Sequence, residues 1–336
     1  MHPGTLKKAG ETMKKSYEPL LKAIEAYLEK ADEDLTEMLE DEGRAESEES
    51  VDAINSIEEG IEDALTAETK RIINAIKKHK TLDTLVAAGA IDEIFDSDTC
   101  SNKIKKLVSK ELNALIPKLV QGYVGFIDAE LKITAVSDRT IAWVDEWSAQ
   151  LAEIMKLTDK ETITKIIQDG FAEGGDIASV TAAIKDSGIR NEYYRARRAA
   201  LTEVLRAHNV SRQEASMQNP AVTGKTWRHT GAHKNEPREN HVAMDGQTVD
   251  VDKPFTLTGM DGTTYYPMFP VDPDLPPEEA ISCHCLSQEV VDEDILGLSL
   301  EERQQLQQEA LDSMNEDWEQ ELNERNKAKA GIAEDE

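Results

Sequence analysis

Four of the seven histidines and two of the three cysteines of this 336-residue chain fall between Trp227 and Cys285. His229, His233, His241, His284, Cys283 and Cys285 are the residue types that zinc prefers. Four such ligands close a structural site. Cys283 and Cys285 with His241 and His229, or with His233, could supply them. Cys-x-Cys is less diagnostic than paired Cys-x-x-Cys knuckles, so a reduced cysteine pair is the competing reading. A disulfide between residues two apart would be strained. With Cys100 isolated, three cysteines make no disulfide framework, which points to a reducing cytosol at synthesis.

The same segment admits a catalytic reading. His241 and Asp245 are four apart and would share a face of a helix. Imidazole beside carboxylate is a general-base arrangement, and Arg238 could hold an anion. A metal-assisted hydrolase or nuclease would use these groups. No nucleophile motif, phosphate loop or H-E-x-x-H helix accompanies them. A hydrogen-bonded structural network at the start of the Asp245-Gly246 turn is the preferred reading of them.

These residues need elements to position them. Of 11 prolines, only Pro117 lies between Pro19 and Pro220, whereas eight run from Pro220 to Pro277. Proline breaks helices. The first ~215 residues therefore read as helical, and the next ~75 as loops and short strands. Asp245-Gly246 and Asp261-Gly262 are turn signals. Thr248, Val249 and Val251 alternate as a strand would, and Thr263 to Tyr266 are strand formers.

Upstream, Tyr17, Leu20, Leu21, Ile24, Leu28, Leu35 and Met38 form one helical stripe, and 40–50 reads as an acidic linker. Further stripes run from Val51 to Ile76 and from Ile104 to Ile127, the latter kinked or split by Pro117. A helix over 138–157 starts at Ser137. Thr158 and Glu161 have capping-box spacing for the next, ended by Gly170. Asp176 could cap a short helix, and 189–217 reads as one long helix. Ser299 and Glu302 open a last one. The fold class is α+β: an elongated, mainly helical N-terminal region, a small α+β domain and a C-terminal helix. The expected divisions are 1–50, 51–158, 159–295 and 296–336.

The net charge of -29 and pI near 4.6 exclude whole-surface attraction to nucleic acid or anionic lipid. No stretch has the length of a membrane span, and the N-terminus has no apolar signal segment. Yet 185–241 carries 11 bases and 6 acids. Arg190, Arg195, Arg197, Arg198, Arg206 and Arg212 sit on the long helix. They would either pair with the protein's own acids or meet phosphate or an acidic partner. A DNA-binding module through 190–212 is thus a further reading.

The order of motifs over about 160–290 resembles the phage Mu F-like minor head proteins, the head morphogenesis domain family. Thr202 and Glu203 stand on the helix, Trp227 follows, then Arg238 with His241. Asp245 and Gly246 give the turn, Asp252, Pro254 and Phe255 the next element. A proline-rich loop and Cys283-His284-Cys285 close the series, with His284 where the family usually has Arg. The resemblance implies a minor head protein of a tailed phage or prophage. It would associate with the portal protein or the major capsid protein, and act in head assembly and in DNA packaging or ejection. Packaged DNA would be a further partner. After synthesis in the host cytoplasm the protein would reside in the virion. No catalytic residue, small-molecule cofactor or membrane partner is implied. Structural zinc on Cys283, Cys285, His241 and His229 is the one cofactor the residues suggest.

Overall fold

The computed structural model describes residues 32–86, 90–230 and 237–329, and within them not the side chains of 157–159, 187–194 and 327–329. The chain divides into two units, Met1–Val51 and Asp52–Glu336. The fold is mainly helical α+β.

In the first unit, α1 (32–41) is followed by a turn and by the start of α2 (Ser47–Ile76). The apolar stripe over Tyr17 to Leu28 lies outside the described residues. The expected linker at 40–50 is instead ordered. Gly43 takes φ +67° to end α1, and Arg44 and Glu42 form a buried ion pair at 2.6 Å. Acids in this segment find a partner and a helix N-terminus, which their abundance alone does not reveal.

The second unit holds the rest. After α2 come α3 (Leu82–Val86), α4 (Ala90–Phe95), α5 (Thr99–Ile127), α6 (Asp138–Ala172) and α7 (Ile177–Gln218). Ile104, Val108, Leu112, Leu115, Leu119 and Tyr123 of α5 are buried, and α5 packs against both α6 and α7. Burial of such a side chain contributes about 1.5–3 kcal/mol. A second cluster joins Ile72 and Ile76 to Leu85, Phe95, Ile163, Ile167, Val180 and Ile184.

Three expected boundaries move. Helix α5 is not split: it runs unbroken through Pro117. Helix α6 continues past Thr158 and Gly170 to Ala172, because the cap spacing there meets no break in the apolar stripe. Asp176 does cap a helix, through a capping box with Ser179, but that helix is the whole 42-residue α7.

The small sheet follows. β1 (Val222–Arg228), β2 (Thr248–Asp250) and β5 (Leu286–Val291) form an antiparallel sheet in the order β2-β1-β5. Gly246, at φ +85°, makes the turn expected before β2. β3 (Leu257–Thr258) and β4 (Thr264–Tyr265) pair around Asp261-Gly262. Short helices α8 (Glu239–Met244) and α9 (Pro277–Ala280) lie between strands, α10 (Glu293–Leu296) follows β5, and α11 (Leu300–Lys329) ends the unit. Ser299 and Glu302 exchange hydrogen bonds at its start, as expected. Trp227, Phe255, Leu257, Val271, Leu275, Cys283 and Cys285 make the sheet's core.

Candidate functional site

The strand β1 alternates its faces and buries Trp227 completely. The indole meets the His241 ring edge to face at 5.7 Å and Phe255 at 5.3 Å. The backbone N–H of Trp227 donates to Gln247 O at 2.8 Å, and its carbonyl accepts from Gly246 N at 2.9 Å. The Asp245-Gly246 turn is thereby fixed beside the next residues of the chain. Asp245 Oδ1 accepts the backbone N–H of His229 at 3.0 Å.

His241, on α8, is buried. Its Nε2 lies 2.9 Å from Glu279 Oε2 on α9. Its Nδ1 lies 3.4 Å from Cys283 Sγ and 3.8 Å from Cys285 Sγ. Cys285 Sγ is also 3.6 Å from Nδ1 of the half-buried His229. Ser282, at φ +57°, turns the chain so that both thiols enter the core. Arg238 donates to Ile281 O at 2.6 Å and Asn209 to Cys285 O at 3.2 Å, which holds this turn from two sides.

The electrostatics follow from these contacts. A hydrogen bond from Cys285 outweighs burial and, with His241, holds the Cys283 thiol well below its usual range. Burial opposes protonation of His241, but Cys283 and Glu279 prevail and raise it. Burial likewise opposes the charge on Glu279. Hydrogen bonds from Asn240, Met260 N–H and His241 nevertheless keep it below the ordinary carboxylate value.

Thus the structure brings together Cys283, Cys285, His241 and His229. His233 and its loop lie outside the described residues. His284 contributes a carbonyl to Thr230 Oγ1. The general-base pair expected of His241 and Asp245 does not form. Asp245 caps the end of α8 and faces His229, while both imidazole nitrogens of His241 are engaged elsewhere. Arg238 holds a carbonyl where an anion was expected.

The arginines of α7 turn mostly inward. Arg197 pairs with Glu58 at 2.6 Å. Arg206 pairs with Glu203, donates to Val271 O and stacks on Trp147 at 4.7 Å. Arg212 is buried over Tyr123. For Arg197 and Arg206 this corrects the expectation of an outward partner or DNA contact. These side chains neutralise buried acids of the same unit. Arg195 donates to Met155 O, Arg198 is exposed, and the side chain of Arg190 lies outside those described. Thr202 and Glu203 line an open groove of about 470 Å³ between α6, α7 and the proline-rich loop. Trp147, Met155, Leu275 and Ile281 give it apolar walls, and Arg195 and Arg198 lie along it.

Two groups in this arrangement escaped the sequence reading. Glu279 is one acid of a Pro-Pro-Glu-Glu run, and nothing local distinguishes it from Glu278. Lys225 is a buried amine on β1, held by Gln213 Oε1 at 3.0 Å.

Comparison with known proteins bears on the whole chain. The family model described as phage Mu protein F like protein matches residues 161–288, which include every member of the Cys/His cluster. Over 305 residues the chain is 34% identical to the uncharacterized protein YqbB of Bacillus subtilis (strain 168), covering 88% of this chain and 98% of the relative. The chain belongs to the phage Mu protein F-like family. The Mu F-like segment begins in the second half of α6 and ends within β5. It ties the protein to phage head morphogenesis. No solved structure matches the chain. Among the described residues, no helix is long and apolar enough to cross a membrane.

Proposed function

We propose that this Mu F-like chain is a minor head protein of a tailed phage or prophage. It docks on the portal protein or the inner face of the capsid and acts in head assembly as a structural component, not an enzyme. The observation that carries the reading is the family match over 161–288.

The geometry supports it. The chemically versatile groups Cys283, His241 and Glu279 are at most 3% exposed. Among the described residues an accessible feature is the groove over Trp147 and Leu275, apolar within and bordered by Arg195 and Arg198. Such a surface suits a protein segment that combines apolar and acidic side chains. Packaged DNA is the weaker candidate partner, because Arg197 and Arg206 face acids of their own chain.

Co-expression of the full chain with the portal protein of the same phage or prophage tests the proposal. The expected result is co-purification that survives moderate salt. Two proteins that elute apart at low salt, with the head protein folded, would refute docking on the portal.

A further inference from the structure

We propose that Cys283, Cys285, His241 and His229 hold one zinc ion. The ion would fasten the end of β1, helix α8 and the Cys-x-Cys turn into a single structural knot.

The distances argue first. Zinc binds thiolate sulfur at about 2.3 Å and imidazole nitrogen at about 2.0–2.1 Å. A tetrahedron with those bonds has sulfur–nitrogen edges of about 3.5–3.6 Å. Three of the four sulfur–nitrogen edges of such a site measure 3.4, 3.6 and 3.8 Å. One imidazole nitrogen carries at most one proton and can serve only one sulfur by hydrogen bonding. Nδ1 of His241 nevertheless faces both. Facing two sulfurs at once is what a shared metal ion requires. The ligand atoms of His241, Cys283 and Cys285 all lie within 4.8 Å of one another, and all three residues are buried.

The second argument is the carboxylate behind the imidazole. Glu279 Oε2 accepts a hydrogen bond from His241 Nε2–H, the arrangement that leaves the Nδ1 lone pair facing the sulfurs. A carboxylate on the remote nitrogen is the usual partner of a ligating histidine. Glu279 is itself fixed, by Asn240 Nδ2 at 3.0 Å and Met260 N at 2.7 Å.

Third, the site completes itself. His229 is half-buried; Asp245 accepts its backbone N–H at 3.0 Å, and its Nδ1 lies 3.6 Å from Cys285 Sγ. His241, Cys283 and Cys285 form the mutually close set, and His229, against Cys285, is the residue placed to become the fourth ligand as the ion draws it in. A closed four-ligand set is structural. Binding releases the two thiol protons to solvent and leaves two thiolates balancing the dication. The local need is clear. Strands of two to seven residues and helices of four to six surround the cluster, too little regular structure to fix these loops by itself.

This inference is independent of the role in head assembly. It is tested on the full-length chain, purified without chelator and dialysed against zinc-free buffer. Elemental analysis should find about one zinc per chain. A mercurial reagent should release that zinc while two additional thiols become reactive. Cys100→Ser should retain the metal, because Cys100 lies outside the cluster. Glu279→Gln keeps a hydrogen-bonding group and should weaken zinc affinity about 10- to 100-fold. Loss of both Cys283 and Cys285 can unfold the sheet, so the wild-type measurements decide. A folded wild-type chain that stays metal-free with both thiols reactive after incubation with zinc would overturn the proposal. So would a Cys283–Cys285 disulfide in the freshly purified protein, or zinc retained by a folded Cys283→Ser/Cys285→Ser variant.

Discussion

The carboxylate of Glu214, in the last third of α7, reaches across to Ser137 and caps the start of α6. It accepts from Ser137 N at 2.7 Å and from Ser137 Oγ at 2.8 Å. Thr140 Oγ1 at 2.7 Å and Gln218 Nε2 at 2.8 Å complete its shell. Glu214→Ala removes an acceptor from four donors within the core. Hydrogen bonds to a charged group are worth about 1.5–3 kcal/mol each, and they do not add fully. A loss of about 3–5 kcal/mol in urea unfolding is therefore expected. A loss below about 1 kcal/mol would show that Ser137 alone caps α6.

Lys225 gives a dependence on pH. Burial holds its ammonium down to about 8, against the attraction of Asp252 and Asp272. The native state therefore binds fewer protons at this site than the unfolded chain between pH 8 and the ordinary lysine value of 10.5. Stability contributed by this residue rises with pH across that window and is lowest below it. Lys225→Met removes the charge but keeps a long apolar stem beside Phe255. We expect it to raise stability at pH 7 by about 1–3 kcal/mol, and to flatten the rise toward pH 10. Unfolding midpoints at pH 7 and pH 9.5 check both. A steeper rise in the variant would contradict the assignment.

Arg206 and Glu203 couple the groove to the core. Burial pushes the Glu203 carboxyl up, opposed by the charge of Arg206. A carboxyl raised in the native state loses stability as pH rises through the interval above its ordinary value. Arg206→Ala leaves that carboxyl buried without its cation and strips the guanidinium from Trp147 and Val271 O. A loss of about 3–5 kcal/mol at pH 7 is expected, smaller at pH 5 where Glu203 can take a proton. Thermal melts at the two pH values measure the difference. An equal loss at both would assign the effect to packing alone.

The contrast between helix and sheet shows what was legible. The stripe from Ile104 to Ile127 and the cap at Ser137 are local patterns, and the folded chain follows them. The helix break expected at Thr158 does not occur because a capping pattern also occurs inside helices, and the segment 40–50, expected as a linker, is an ordered turn between two helices because acids also sit in ordered turns. Cys283, Cys285, His241 and His229 could be grouped from residue type alone. Their carboxylate could not. Asp245 has the right spacing to His241 on a helix, but α8 ends after Met244 and Asp245 turns to His229. Glu279 reaches His241 only because α9 folds back over a span of 38 residues. The basic run on α7 was visible, but its direction was not. Glu203 and Arg206 pair at i,i+3 on one helix, a spacing the sequence shows, whereas that Arg197 faces Glu58 depends on helix pairing that no periodicity encodes.

Arg198 offers the cleanest test of the groove. It is exposed on α7 beside Arg195, whose guanidinium already donates to Met155 O. Arg198→Glu reverses a charge at the edge of an apolar surface formed by Trp147, Met155 and Leu275. An exposed substitution of this kind should change stability by less than about 0.5 kcal/mol. Charge at a rim acts on association through steering and complementarity. If an acidic and apolar portal segment occupies the groove, the variant should bind portal protein about tenfold more weakly at low salt. The deficit should shrink as salt rises, because exposed charges are screened. Leu275→Ala, in the groove's wall, should weaken binding with little dependence on salt. Unchanged portal affinity in both variants, with the fold intact by circular dichroism, would move the docking surface elsewhere on the molecule.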